Sequence, residues 1–112
     1  MATFQRFEEI EAWQKARELT RELYAVSRQG QLAKDFALRN QMCEAGVSVM
    51  SNIAEGFERS GTGEFVQFLA VAKGSAGEVR SHLYVALDQG YITRGQFDKL
   101  CALVRTEACT KR

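Results

Sequence analysis

Proline is absent from this 112-residue chain, and histidine and tryptophan occur once each. Without proline nothing stops or kinks a helix from within, so long helical segments are unopposed. A single histidine, His82, offers no imidazole pair, and Cys43, Cys101 and Cys109 show no C-x-x-C spacing, so no zinc site is expected. An odd number of scattered cysteines points to reduced thiols and a cytoplasmic setting, and spacing assigns none of the three a role. Long apolar runs are missing too. The longest uncharged stretch, Ala45 to Ala54, is ten residues, well short of a membrane span, so no membrane role is expected. The opening Met1–Glu9 turns charged at once, and no signal peptide is expected. Charge of one sign is also lacking. Fifteen basic residues against fourteen acidic leave a net charge of +1, so any binding of nucleic acid must rest on a local patch.

What is present reads as one globular domain, residues 1–112. Hydrophobic residues make up 46% and charged residues 26%, ordinary values for a chain able to build a single core. Few stretches alternate at period two, whereas four segments repeat at helical period. The first runs from Phe7 to Gln29, with Ile10, Trp13, Ala16, Leu19, Thr20, Leu23 and Tyr24 on a broad apolar face and Gly30 as its stop. The second is expected from the N-cap Asp35 to Phe57, with Leu38, Met42, Ala45, Val49 and Ile53 inward. A Ser-Gly-Thr-Gly break at 60–63 precedes the third, Glu64 to Gln89, whose inner face is Phe65, Phe68, Leu69, Ala72, Ala76, Val79, Leu83 and Leu87. Gly90 fits a left-handed C-cap, and Thr93 with Gln96 forms a capping box opening the fourth helix, which carries Phe97, Leu100, Cys101, Val104 and Ala108. Three helices of roughly 34 to 39 Å joined by short links predict an all-α, antiparallel up-down-up-down four-helix bundle.

The third helix carries more apolar surface than one bundle needs. Ala70, Gly74, Gly77 and Ser81 form a second stripe of small residues, flanked by Val66 and Tyr84. Glycine within a helix costs about 1 kcal/mol relative to alanine, so two in four residues call for a packing reason. Close contact inside the bundle is one reading. A subunit interface is the other, and the one favoured here, because a helix apolar on two sides is buried on two sides. On the first helix, Arg17, Arg21 and Arg28 line one border of the apolar face beside Trp13 and Tyr24, while Glu11, Glu18 and Glu22 line the opposite border. Cations among aromatics suit phosphate contact; a solvated face with partners on an adjacent helix or subunit is the plainer reading.

Residues 48–59 separate cleanly into an apolar side (Val49, Met50, Ile53, Ala54, Phe57) and a polar side (Ser48, Ser51, Asn52, Glu55, Glu58, Arg59). Ser, Ser and Asn are unusual on a solvated face and suggest a surface that something covers. Asn52, Glu55 and Arg59 are accordingly the candidates for polar contact with a partner or a neighbouring subunit, Glu55 and Arg59 being an i,i+4 pair; helix-to-helix bonding within the chain is the alternative. Groups for catalysis are scarce. His82 lies at the edge of an inner face, with no nucleophile at readable spacing. Glu78 and His82 stand four apart, not in the Glu-x-x-His spacing of di-metal bundles, and no second such motif accompanies them. Gly61 and Gly63 precede a helix without a Walker lysine, so they form a turn and not a phosphate cradle. No catalytic residue, metal, cofactor or small-molecule substrate is expected.

The stretch Val47-Ser-Val-Met-Ser-Asn-Ile-Ala-Glu-Gly-Phe-Glu-Arg59, with Glu64-Phe-Val-Gln-Phe-Leu-Ala-Val-Ala-Lys-Gly-Ser75, Gly90-Tyr-Ile and the opening Phe7-Glu-Glu-Ile-Glu-Ala-Trp-Gln-Lys-Ala, resembles a bacterial family across nearly the whole chain. It is the family of small four-helix-bundle proteins first met as products of 23S ribosomal RNA intervening sequences, which also includes the accessory variability protein of diversity-generating retroelements. The resemblance implies an antiparallel bundle assembled as a pentameric ring around a pore, with no known enzymatic activity. It implies for the family a suspected association with nucleic acid, or with a nucleic-acid enzyme, through basic surface residues. This chain departs from the pattern there: Cys43 and Glu44 stand where the family commonly has two basic residues, Met50 where proline is common and His82 where glutamine is.

Two functional expectations follow. The first is a non-enzymatic homo-oligomer, a scaffold or accessory factor for a macromolecular partner. The alternative is a nucleic-acid-binding accessory protein that uses Arg17, Arg21 and Arg28, with Arg105, Lys111 and Arg112 as further cations.

Overall fold

The computed structural model describes residues 4–59 and 61–109, the side chains of 105–109 excepted. Four helices, α1 (Glu11–Ser27), α2 (Phe36–Glu58), α3 (Thr62–Asp88) and α4 (Arg94–Cys109), make up the fold, with no strand among the described residues. Each helix packs against two others, α1 on α2 and α4, and α3 on α2 and α4, in a body 45 × 22 × 19 Å. Gly56 of α2 lies against Phe65 and Phe68 of α3, while Ser48 bonds Ser75; partner numbers therefore rise along α3 as they fall along α2. The same holds across α1 and α2, where Gly46 faces Thr20 and Leu23, and Cys43 faces Ser27.

Apolar residues at helical period enclose one core. Leu19, Leu23, Met42, Val49, Ile53, Val79, Leu83 and Val104 are fully buried. Burying such a side chain contributes about 1.5–3 kcal/mol, which offsets the entropy of ordering the helices that carry them. Several element ends match the residues that predict them. Asp35 caps α2, its Oδ1 accepting the Leu38 amide at 3.2 Å. At α4, Thr93 Oγ1 accepts the Gln96 amide at 3.1 Å and Gln96 Oε1 accepts the Thr93 amide at 2.8 Å, a complete capping box. Gly90 adopts φ +75° after α3, a conformation that costs glycine little.

The structure also departs from the expected elements. Phe7–Glu9 is a separate 3-10 turn, and Ile10 is extended (φ −76°, ψ 123°), so α1 begins at Glu11 and not at Phe7. The break lets Phe7 fold back edge-on to Trp13 at 5.2 Å while Ile10 enters the core. The first helix ends at Ser27, and a second 3-10 turn at Gly30–Lys34 delivers Leu32 to the core. Tyr24, placed by period on the inner face, is 42% exposed: it lies past the margin of that face. α3 starts two residues early, at Thr62, from Gly61 at φ +107°. No helix among the described residues is long and apolar enough to cross a membrane.

Candidate functional site

The outer face of α3 is built from the residues that its inner face leaves over. With Ala72, Ala76, Val79 and Leu83 turned into the core, the opposite side presents Val66, Ala70, Gly74, Gly77, Ser81 and Tyr84, all exposed. Val66 and Tyr84 are each 57% exposed, and Val71 and Val85 join them at the margin. Lys73 and Arg80 fall on one border of this strip and Glu78 on the other by helical period, so its centre carries no charge from Val66 to Val85. Tyr84 stands edge-on to Phe97 of α4 at 4.9 Å, with the Arg94 guanidinium 5.4 Å from the Phe97 ring. The strip thus has a low centre and bulky ends.

The chain's glycines divide into two groups by what a methyl group would meet. At Gly46 an added Cβ would lie 2.9 Å from Leu23 Cδ1, and at Gly56 2.7 Å from Phe68 Cβ; both let helices approach closely inside the bundle. At Gly74 and Gly77 nothing lies within 4 Å. Close packing within the chain therefore accounts for the glycines of α2 and not for those of α3.

The polar side of α2 is used partly within the chain. Ser48 Oγ and Ser75 Oγ are 2.8 Å apart, and Asn52 Nδ2 donates to Ser48 O at 2.8 Å and to Ser48 Oγ at 3.1 Å. These groups are half-buried at the α2–α3 seam, which is why short Ser and Asn side chains occupy positions where an exposed helix carries Lys and Glu. Glu55 and Arg59 pair at 2.9 Å. The hydrogen bond and charge of Glu55 raise the Arg59 pKa further above its ordinary value, and the guanidinium lies 5.2 Å from the Phe68 ring. The pair is exposed and adds little stability.

On α1, Arg17 and Arg21 reach a shallow groove of about 340 Å³ lined also by Glu8, Trp13, Gln14 and Glu18. The Arg17 guanidinium lies 5.9 Å from the Trp13 ring. Arg28 is exposed at the C-terminal cap of the helix. None of Arg17, Arg21 and Arg28 forms an ion pair among the described residues. The side chains of Arg105, Lys111 and Arg112 lie outside the described residues, as do those of Ala108 and Cys109. Cys43 and Cys101 are buried free thiols. His82 is half-buried, and its Nδ1 is buried without a hydrogen-bond partner. Among the described residues no three His, Cys, Asp or Glu side chains gather to hold a metal ion.

Two features were not singled out from the sequence. The inner-face glycines Gly46 and Gly56 are small residues at core positions, a pattern that marks close helix approach without naming the helix that comes near. Phe36, immediately after the Asp35 cap, is 62% exposed; it falls off the Leu38–Met42–Val49 face, so period was able to expose it.

Comparison with known proteins bears on the whole of this arrangement. Residues 8–108 match the family described as 23S rRNA-intervening sequence protein. A solved structure from Bacteroides thetaiotaomicron, described as a protein of unknown function from the S23 ribosomal protein family, is similar over 87% of this chain and 91% of its own. The two superpose with a TM-score of 0.79 at 23% sequence identity, a likeness of fold. No curated protein matches the chain. Neither match indicates a catalytic family.

Proposed function

The chain belongs to the 23S rRNA-intervening sequence protein family, and from that premise we propose that it is a non-enzymatic bundle that assembles with further copies of itself through the outer face of α3. In that form it acts as a scaffold or accessory factor, presenting a surface to a macromolecular partner. The observation that carries this reading is the pair Gly74 and Gly77, exposed in mid-helix with open space where each Cβ would lie. Two such glycines weaken a lone helix by about 2 kcal/mol relative to alanine, and the chain's own packing returns nothing for it. A second backbone seated in the low centre of the strip would return it, with Val66 and Tyr84 as the bulky margins of the contact. Five copies in a ring is the number that the family resemblance implies; a head-to-tail contact whose rotation closes makes such a ring. A non-enzymatic role suits a chain with a single histidine.

Light scattering after size exclusion, across a range of concentrations, tests the reading. The wild type is expected to run as an assembly, and Gly77→Leu as a folded monomer, since the position is exposed with open space around a Cβ and leucine favours helix. A wild type that is monomeric throughout, or a Gly77→Leu variant that assembles normally, would overturn it.

A further inference from the structure

The large apolar side chains left exposed on the helices divide between two faces. Val66, Val71, Tyr84 and Val85 stand on α3, whereas Tyr24, Phe36 and Val47 stand on α1 and α2. Around the α2 axis Phe36, Val47 and the half-buried Ala54 fall within about 20° of one another, a stripe about 27 Å long. Its neighbours fix its place. Gly46 faces Thr20 and Leu23, and Cys43 faces Ser27, so Val47 lies just outward of the α1–α2 seam and Tyr24 just outward of it on the other side. Charge of one sign follows each margin. Beyond Tyr24, Arg17, Arg21 and Arg28 are exposed along α1, and Arg39, 5.0 Å from the Phe36 ring, continues that border at the start of α2. Across the stripe, Glu44 and Glu58 are exposed on α2 with Ser51 between them. None of these charges forms an ion pair among the described residues.

We propose that this α1–α2 face holds a partner protein through an amphipathic helix, whose apolar side chains cover Tyr24, Phe36 and Val47, with carboxylates toward the arginines of α1 and cations toward Glu44 and Glu58. The proposal rests on the reading of the chain as a scaffold, and names the surface presented and the chemistry of what it takes. Exposed apolar side chains gathered on one face mark contact with another macromolecule. A helix laid along the seam reaches them with side chains three and four positions apart, and a stripe of this length takes about 18 helical residues. Uncommitted charges of opposite sign on the two margins then fix how that helix lies. A nucleic-acid strand suits the face less well. Glu44 and Glu58 repel phosphates along one margin, and Val47 and Ala54 offer no ring for a base to stack on. Since α1 and α3 each pack on α2 and α4, α1 stands diagonally across the bundle from α3, and this face is separate from the one that Gly74 and Gly77 open.

Fluorescence anisotropy of the full chain with labelled synthetic peptides of about 18 residues tests the proposal. Three peptides share a leucine stripe at helical period: one carries glutamate on one border and lysine on the other, one glutamate on both, and one lysine on both. The mixed peptide is expected to bind about tenfold more tightly than either of the others, from several border pairs each of surface strength. Phe36→Ala and Val47→Ser, both at exposed positions and checked for folding by circular dichroism, are each expected to weaken it about tenfold, while Val66→Ala on α3 leaves it unchanged. No binding of the mixed peptide, equal binding of all three, full affinity in both α2 variants, equal weakening by Val66→Ala, or displacement by a single-stranded oligonucleotide would each overturn the proposal. Light scattering on the same samples separates this site from the assembly. Phe36→Ala and Val47→Ser are expected to keep the wild-type mass; loss of assembly in both would give the face to a neighbouring copy and overturn the proposal. A monomeric wild type that binds the mixed peptide overturns only the assembly, and an assembly that does not bind it overturns only this site.

Discussion

Gly56→Ala is a severe test of how α2 and α3 meet, because one methyl group is added where the backbones are closest. The new Cβ would lie 2.7 Å from Phe68 Cβ and 3.1 Å from Phe65 Cδ1, against an optimum of about 3.5–4.0 Å between carbon atoms. Phe68 Cβ is fixed to its own backbone and cannot rotate away, so relief requires the helices to part by about 1 Å. Overpacking of this kind costs about 1–3 kcal/mol, and the rigid obstacle puts Gly56 at the upper end. Alanine's better helix propensity returns about 1 kcal/mol, for a net loss of about 2 kcal/mol. Gly46→Ala makes the contrast. There the nearest atom is Leu23 Cδ1 at 2.9 Å, the mobile end of a side chain, followed by Thr20 Oγ1 at 3.0 Å. A small rotation of Leu23 relieves most of the overlap, and the propensity gain brings the change to within about 1 kcal/mol of zero.

Thermal unfolding followed by circular dichroism, with wild type and both variants at one protein concentration, measures the difference; equal concentrations matter because assembly stabilises by mass action. Gly56→Ala is expected to lower the thermal midpoint by about 8 °C or more, with Gly46→Ala close to wild type. A Gly56→Ala variant at or above wild-type stability, or one less affected than Gly46→Ala, would refute the close approach at this seam.

Two further outcomes concern the corner where α2 begins. Asp35→Ala removes both the α2 cap and the acceptor of the Tyr91 hydroxyl, 2.9 Å from Oδ2; the cap alone is expected to lower the unfolding free energy by about 1 kcal/mol, and unchanged stability would deny the cap its role. The hydroxyl's hydrogen bond to Asp35, then burial and the Asp35 charge, raise the Tyr91 pKa above the ordinary tyrosine value. A raised folded-state pKa means that the contribution is whole below about pH 10, the unfolded value, and is lost as pH rises through the folded one. Urea midpoints from pH 8 upward are therefore expected to fall more steeply in the wild type than in Tyr91→Phe, and parallel profiles would contradict the tie between the α3–α4 turn and α2.

The helices, their inner faces and most of their ends were legible in the residues because each follows from local physics. A core-facing residue returns every three or four positions whatever lies opposite it. Asp35, Thr93, Gln96 and Gly90 act within a turn of where they stand, and the structure uses them as their types predict. The double-sided apolar character of α3 was legible for the same reason. The break at Ile10 and the 3-10 turn at Gly30–Lys34 were not, since they exist to bring Phe7, Ile10 and Leu32 onto a core assembled by other helices.

By itself, then, the sequence determined four amphipathic helices with their caps, a second apolar stripe on one of them and a border of arginines on another. Tertiary structure alone decided which small residues already have neighbours. Period places Gly46, Gly56, Gly74 and Gly77 each on a helix face, but only the packing puts Leu23 and Phe68 against the first two and leaves the last two open. It likewise turned Ser48 toward Ser75, drew Tyr24 out of the core, and set Phe36 against Arg39 at the start of α2. The physical reason is one of range: capping and period act over a few residues, whereas the distance from one helix to the next is set by everything packed between them.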